Sequence, residues 1–143
     1  GLESFVGTHD GQDLDASLLQ MANLHFLPAG DTRLRATIDA VRRGLSQQGW
    51  LLRYRLDDGF GPPQVAFTLC TFWLVEALAA TGRQEEARDV MERAHSALSP
   101  LGLLSEDYRT SDLRMWGNFP QAYSHTGLIH AAFAASPRWG DIL

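Results

Sequence analysis

The segment from Leu103 to His125 carries more reactive side chains than any other part of this sequence. Glu106 and Asp107 stand side by side in it, and its last residue is a histidine. Carboxylates and imidazoles are the groups that proteins use as general acids and bases. Polar connectors of this length are usually either functional or disordered, and large aromatic residues favour order because they bury the segment that carries them. The aromatic residues here are Trp116, Phe119 and Tyr123. We therefore interpret the segment as one wall of a site that neighbouring helices hold in place.

The bulk composition is that of a soluble globular chain of about one domain. Its 143 residues are 45% hydrophobic and 20% charged, which are ordinary shares. The net charge of -5 argues against a nucleic-acid partner, because no basic stripe is present to neutralise phosphates. The sequence has no signal peptide and no apolar run long enough to span a bilayer, and its single cysteine, Cys70, fits a reducing compartment. We predict a cytoplasmic protein that binds neither nucleic acid nor membrane.

The spacing of apolar residues predicts an all-α chain of five helices, around residues 14–24, 32–48, 65–81, 84–98 and 119–135. Two of them, 32–48 and 84–98, have one polar face, whereas 65–81 is apolar almost all round and is expected to be buried. Asn118 is expected to cap the last helix. This alternation is typical of layered helical hairpins, as in a closed α/α toroid or an open solenoid. No repeat of solenoid length is visible, so we favour the toroid.

Three segments resemble the catalytic domain of glycoside hydrolase family 15, the group of glucoamylases, glucodextranases and bacterial trehalases. They are Leu14–Ser17, Leu52–Trp73 and Gly102–His125. The resemblance implies an (α/α)6 barrel, in which the five helices would be the last five. Residues 1–143 are then expected to be a fragment, the C-terminal portion of one catalytic domain, with the general acid lying upstream of Gly1.

The resemblance also implies an inverting glycosidase that acts on an α-glucoside, either an oligosaccharide or a disaccharide. Inverting hydrolysis uses two carboxyl groups on opposite faces of the sugar, roughly 6.5–9.5 Å apart. Glu106 matches the position of the catalytic general base, and the adjacent Asp107 is the alternative. The resemblance does not choose between starch-like substrates, dextran-like substrates and trehalose.

Three further residues are candidates for binding the sugar. Arg53 matches a sugar-binding arginine of the family, and its planar fork can donate to two neighbouring hydroxyls. The alternative for Arg53 is an ion pair with Asp57 or Asp58. Trp116 is expected either to stack on a sugar ring or to belong to the core. His125 is expected either to touch substrate or to be a buried histidine with satisfied hydrogen bonds.

We predict no metal and no cofactor, because the sequence has no HExxH motif and no cysteine pair. The spacing of His125 and His130 does not place them on one helical face. The rival interpretation is a non-catalytic α/α helical module that binds carbohydrate or protein. With other helices missing, an apolar face such as Val65–Ala80 would be exposed. We therefore expect self-association, or pairing with the missing N-terminal part of the domain, and no activity in the isolated chain.

Overall fold

Helices are the main regular elements of the computed structural model, which describes residues 4–59 and 61–137. They are a 3-10 turn at Ala16–Leu19 that runs into α1 (Gln20–Asn23), then α2 (Thr32–Leu45), α3 (Thr68–Ala80), α4 (Gln84–His95) and α5 (Ala122–Ala135). Each helix lies within the range that the apolar spacing predicted, and most begin or end a few residues inside it. Among the described helices, none has the length and hydrophobicity needed to cross a bilayer.

Helix α3 is the centre of the apolar core. It packs against α5, α4 and α1, and most of its side chains are buried on all sides. This confirms the expectation from its composition, since a helix without a polar face must be covered all round. The Cys70 thiol lies in this core, where burial raises its pKa, so it behaves as an inert hydrophobic group.

Helices α2 and α4 have one buried and one polar face, as predicted. The buried stripe of α2 consists of Leu34, Ile38, Val41 and Leu45. The polar faces of α2 and α4 are joined by ion pairs: Arg42 Nη1 lies 2.5 Å from Glu86 Oε2, and Arg83 Nη1 lies 2.7 Å from Asp39 Oδ1. These pairs join the two polar faces through charged side chains that remain partly exposed.

Two small antiparallel sheets were missing from the all-α prediction. The first pairs β1 (Ser46–Gln47) with β2 (Trp50–Leu51), and the second has the order β3 (Ala66–Phe67), β4 (Asp107–Arg109) and β5 (Arg114–Trp116). The segment that the sequence suggested as a connector is therefore partly a hairpin. Strands of two or three residues are too short to show an alternating pattern, which explains why the sequence did not reveal them.

The two sheets are tied to the core and to each other. The Trp50 and Tyr108 rings stack with centroids 4.3 Å apart, which joins β2 to β4. The Leu51 amide donates to Thr71 Oγ1 at 3.0 Å, which joins β2 to α3. These contacts fix the second sheet against the N-terminal end of α3.

Several of the large exposed apolar side chains lie on α5 and after α1, and none of them lies on α3. Ile129 and Phe133 on α5 are 54% and 74% exposed, and Leu24 and Phe26 are 75% and 68% exposed. The expectation that residues Val65–Ala80 would present the exposed face was therefore wrong, because helices of this same chain cover α3. One side of α5, in contrast, is left uncovered.

Candidate active site

Glu106 is held by the main chain on both sides of its backbone. Its carbonyl oxygen accepts a hydrogen bond from the Thr68 amide at 3.0 Å, and its own amide donates to the Asn118 carbonyl at 2.9 Å. These two bonds extend the ladders of the second sheet by one residue beyond β4. Glu106 therefore sits between the first residue of α3 and the segment that follows β5, with little freedom in its backbone.

The Glu106 side chain is oriented by Asn118. Oε2 of Glu106 accepts hydrogen bonds from the Asn118 backbone amide at 3.2 Å and from Asn118 Nδ2 at 2.9 Å. The prediction that Asn118 caps the last helix was wrong, because α5 begins at Ala122 with Gln121 in the N-cap position. The helix starts late because a residue that precedes a proline, here Phe119, disfavours helical backbone.

Gly117 allows the chain to pass close to both carboxylates. Its φ angle is +73°, and a Cβ atom there would lie 2.8 Å from Glu106 Oε2 and 3.1 Å from Asp107 Oδ2. A side chain at this position would be strained by the backbone and would collide with the Glu106 carboxylate. The same geometry shows that the two carboxylates approach a common point.

The carboxyl group of Asp107 is half-buried beside Glu106. Burial, followed by the negative charge of Glu106, raises the pKa of Asp107 to about 6. Two adjacent acids in one site commonly separate in this way, because the second ionisation must be made against the first charge. Asp107 therefore holds its proton to a higher pH than an ordinary aspartate.

A cavity of about 490 Å³ lies next to this pair of acids. It is lined by Arg53, Tyr54, Pro63, Val65, Phe67 and Asp107. The lining combines apolar groups with one guanidinium and one carboxyl, a mixture typical of small-molecule sites. Arg53 and Asp107 thus line the same cavity. Glu106 is not one of the lining residues, but it is adjacent to Asp107 in the chain.

Arg53 forms an ion pair, but with a partner that the sequence did not suggest. Its Nε donates to Asp15 Oδ1 at 2.9 Å, where the sequence offered Asp57 or Asp58 as alternatives. Asp57 instead accepts from the backbone amides of its own turn, and Asp58 accepts from the Tyr54 hydroxyl at 2.7 Å. Asp57 and Asp58 therefore stabilise their own loop through local hydrogen bonds.

Trp116 is not part of the core. It lies on β5 opposite Asp107, and its side chain is 46% exposed. The Arg109 guanidinium covers one face of the ring, with Cζ 4.2 Å from the centroid. The other face of the Trp116 ring is not covered by Arg109. Stacking of a sugar on this face stays a prediction.

Both ring nitrogens of His125 make hydrogen bonds within the chain. Nδ1 lies 2.7 Å from the Gln121 carbonyl oxygen and therefore donates, while Nε2 accepts from the Leu104 amide at 3.4 Å. The Ser124 hydroxyl also donates to the Ser105 carbonyl at 2.7 Å. These bonds dock the first turn of α5 on the residues before Glu106. A contact between His125 and substrate stays a prediction.

Sequence reasoning missed two residues that shape the site, Asp15 and Gly117. Asp15 was given no role in the sequence analysis, although it lies in the Leu14–Ser17 segment that carries the family resemblance. The signal that could have identified Gly117 is its residue type, because glycine readily adopts a positive φ angle and lets the backbone pass close to other groups. Within the described residues, no group of three or more His, Cys, Asp or Glu side chains is arranged to hold a metal ion.

The fold is shared with proteins solved as glycosidases. One such structure superposes with a TM-score of 0.79 at 21% identity, covering 93% of this chain and 38% of that one. A variant described as a glycosidase in complex with glucose gives a TM-score of 0.80 at 20% identity, with the same coverage. At this identity the likeness establishes the fold alone.

The sequence is closer to proteins named trehalase. It is 46% identical over 121 residues to the trehalase of Mycolicibacterium smegmatis and 42% identical over 130 residues to that of Mycobacterium tuberculosis. The trehalase of Thermoplasma volcanium is 38% identical over 130 residues. These alignments cover 82–90% of this chain but only 18–21% of the relatives, so the chain spans about a fifth of their length. No protein-family model matches the chain.

Replacing Asp107 by asparagine is expected to change how stability depends on pH. The unfolded chain loses the Asp107 proton near pH 4, whereas the folded chain keeps it to about pH 6. The free energy of unfolding that Asp107 contributes is therefore complete below about pH 4 and is lost as pH rises through about 6. The melting temperature of Asp107→Asn relative to wild type should rise between pH 4 and pH 7, as measured by circular dichroism.

Asp112→Asn, in the same hairpin, is the control, because the pH dependence of its melting temperature relative to wild type should have the opposite sign. The hydrogen bond from Arg109 lowers the pKa of Asp112, so its contribution to stability is present at neutral pH and is lost as pH falls below about 4. This variant should lose melting temperature relative to wild type as pH rises from 3 to 5. A melting-temperature difference for Asp107→Asn that stays constant from pH 4 to pH 7 would contradict the account of that carboxyl.

Proposed function

We propose that this chain is the C-terminal part of the catalytic domain of an inverting glycoside hydrolase that cleaves α-glucosides, with trehalose as the first substrate to test. The observation that carries the proposal is the Glu106 carboxylate, held by Asn118 beside a polar and apolar cavity in a chain 46% identical to part of a trehalase. The proposal includes an (α/α)6 barrel to which α1–α5 contribute, a cytoplasmic location, and chemistry without a metal or cofactor.

Glu106 acts in this proposal as the general base. The two donors of Asn118 hold Oε2 in place, which leaves Oε1 to accept a proton from the attacking water. As the proton leaves, the water oxygen bonds to the anomeric carbon and the glycosidic oxygen departs with its electron pair. The fixed backbone of Glu106 favours this role, because a base must be positioned to within a few tenths of an ångström.

The general acid belongs, in this proposal, to the part of the relatives' length that the chain does not span. Asp107 is unsuited to be that acid, although it holds a proton to about pH 6. Its Oδ2 and Glu106 Oε2 lie within 3.1 Å and 2.8 Å of one point, the Cβ position of a side chain at 117. The two oxygens are thus closer together than the roughly 6.5–9.5 Å that an inverting pair needs to admit a water.

Arg53 and the cavity supply the sugar site in this proposal. The guanidinium can donate to two neighbouring hydroxyls, and Asp107, which lines the same cavity, can accept from another hydroxyl. Phe67 and Val65 provide an apolar floor for the C–H face of the ring. Trp116 is the candidate for stacking on a second sugar unit, because one of its faces is free of Arg109.

Glu106→Gln in the intact protein that carries this chain is expected to lower kcat for trehalose or maltose by roughly 10²–10⁴-fold, the usual contribution of a general base. Glutamine keeps the shape and the acceptor for Asn118 but cannot take a proton from water. Glucose release measures the rate. The chain alone is expected to be inactive towards both sugars, because it lacks the acid.

The matched control is Glu92→Gln, the same exchange on the exposed face of α4, which should keep wild-type activity. Equal activities of Glu106→Gln and wild type would remove Glu106 from the mechanism. Turnover by the isolated chain would contradict the assignment of the acid to another segment. Binding of these sugars by the intact protein without hydrolysis would instead favour the rival, a carbohydrate-binding module.

We also propose that the exposed side of α5 packs against the rest of the domain in the intact protein and against a second copy when the chain is alone. Tyr123, Ile129 and Phe133 project from this helix with more than half of each side chain exposed. Apolar surface costs about 25 cal/mol for each Å² left in water, so a contiguous face of this kind favours association.

Phe133→Glu combined with Ile129→Glu is expected to convert the isolated chain from a self-associating species to a monomer, because two like charges cannot be buried unpaired in an apolar contact. Sedimentation velocity over a range of concentrations measures the change. Leu101→Glu is the control, since Leu101 is 84% exposed and lies outside α5. A wild-type chain that sediments as a folded monomer at all concentrations would disprove the self-association.

A further inference from the structure

The Arg53 guanidinium is attached to the fold through only part of its hydrogen-bonding capacity. Its Nε donates to Asp15 Oδ1 at 2.9 Å, and among the described residues its two terminal nitrogens make no hydrogen bond. The same side chain lines the cavity shared with Asp107. The donors that a ligand in this cavity would use are therefore still available, while the inner nitrogen anchors the group.

Asp15 is held in place by hydrogen bonds other than the one it accepts from Arg53. Its Oδ1 accepts from the Ser17 amide at 2.7 Å, which caps the 3-10 turn, and the Ala16 amide donates to the Arg53 carbonyl at 2.8 Å. Burial opposes ionisation of Asp15, but the hydrogen bonds from Ser17 and Arg53 outweigh it and lower its pKa. The two segments are thus joined by one main-chain and one side-chain bond, and the acceptor is charged and rigid.

A second contact restrains the plane of the guanidinium. Its Cζ lies 5.6 Å from the centroid of the Trp73 ring on α3, within the range of a cation–π interaction. An arginine side chain has several rotatable bonds, and a free one loses rotamer entropy when a ligand orders it. The contacts with Asp15 and Trp73 remove much of this freedom before any ligand binds.

We propose that Asp15 is a positioning residue, which orients Arg53 so that the two terminal nitrogens of its guanidinium face a sugar in the cavity. This inference rests on the proposed function, because it assumes that the ligand of Arg53 is a sugar. Asp15 itself lies outside the cavity lining and acts through Arg53. Its effect on turnover must therefore disappear when Arg53 is absent.

A double-mutant cycle in the intact protein tests this dependence. Asp15→Asn keeps an N-cap acceptor for Ser17 but removes the charge that pairs with Arg53. It should lower kcat/KM for trehalose roughly fivefold or more, because the neutral amide oxygen of asparagine holds the Arg53 guanidinium more weakly than a carboxylate does. In an Arg53→Met background the same exchange should change kcat/KM by less than about twofold, because the interaction is already gone.

Asp13→Asn, an exposed aspartate two positions away, is the matched control and should leave kcat/KM unchanged. Melting temperatures of all variants separate positioning from loss of fold. A purely structural role predicts that Asp15→Asn lowers kcat/KM equally in both backgrounds, and this result would overturn the proposal. An unchanged kcat/KM for Asp15→Asn alone would overturn it as well.

A second readout does not depend on hydrolysis. In nitrogen-15 NMR spectra of the chain, the Arg53 Nε–H proton should exchange with water faster in Asp15→Asn than in wild type and Asp13→Asn, because its hydrogen bond has lost a charged acceptor. If the intact protein cleaves neither trehalose nor maltose, the proposed function fails, and this exchange rate still decides whether Asp15 orients Arg53. An exchange rate that stays unchanged in Asp15→Asn would refute the orientation itself.

Discussion

The pair of main-chain hydrogen bonds made by Glu106 is the constraint on which the candidate site depends. The Thr68 amide donates to its carbonyl and its amide donates to the Asn118 carbonyl, so residue 106 is fastened on both sides. Asn118 then orients the carboxylate with two further donors. Glu106 thus makes four hydrogen bonds with two segments, three as acceptor and one as donor, which gives a loop carboxylate the rigidity of a core residue.

The helical core gives this small polar sheet a rigid base. Thr68 is both the partner of Glu106 and the first residue of α3, the most buried helix of the chain. The stacked rings of Trp50 and Tyr108 press β4 against the first hairpin, which Thr71 ties to α3 in turn. Displacing Glu106 would therefore require repacking of side chains that close-packed interiors resist. The packing of the apolar core therefore fixes the position of the Glu106 carboxylate.

The positions of the helices were predictable from the periodicity of apolar residues. The hydrogen bonds and ion pairs between residues far apart in the sequence were not. The stripes of α2 and α4 and the apolar character of α3 located the helices, because burial imposes a period on the sequence. The partner of Arg53 lies 38 positions away, so local reasoning chose the nearby aspartates instead. Asn118 has the residue type of a helix cap, and only the strand pairing reveals that its amide serves Glu106. Glu106 itself stood out through the family resemblance, since spacing alone does not separate it from Asp107.

We propose that Glu106 is the base that activates water, and chemical rescue is a direct test of this role. In a Glu106→Ala variant of the intact protein, azide can replace the water because it attacks without losing a proton. With α-glucosyl fluoride as substrate, azide should restore turnover, and the product should be β-glucosyl azide, the inverted anomer. Failure of azide to restore turnover, or formation of the α-azide, would contradict it.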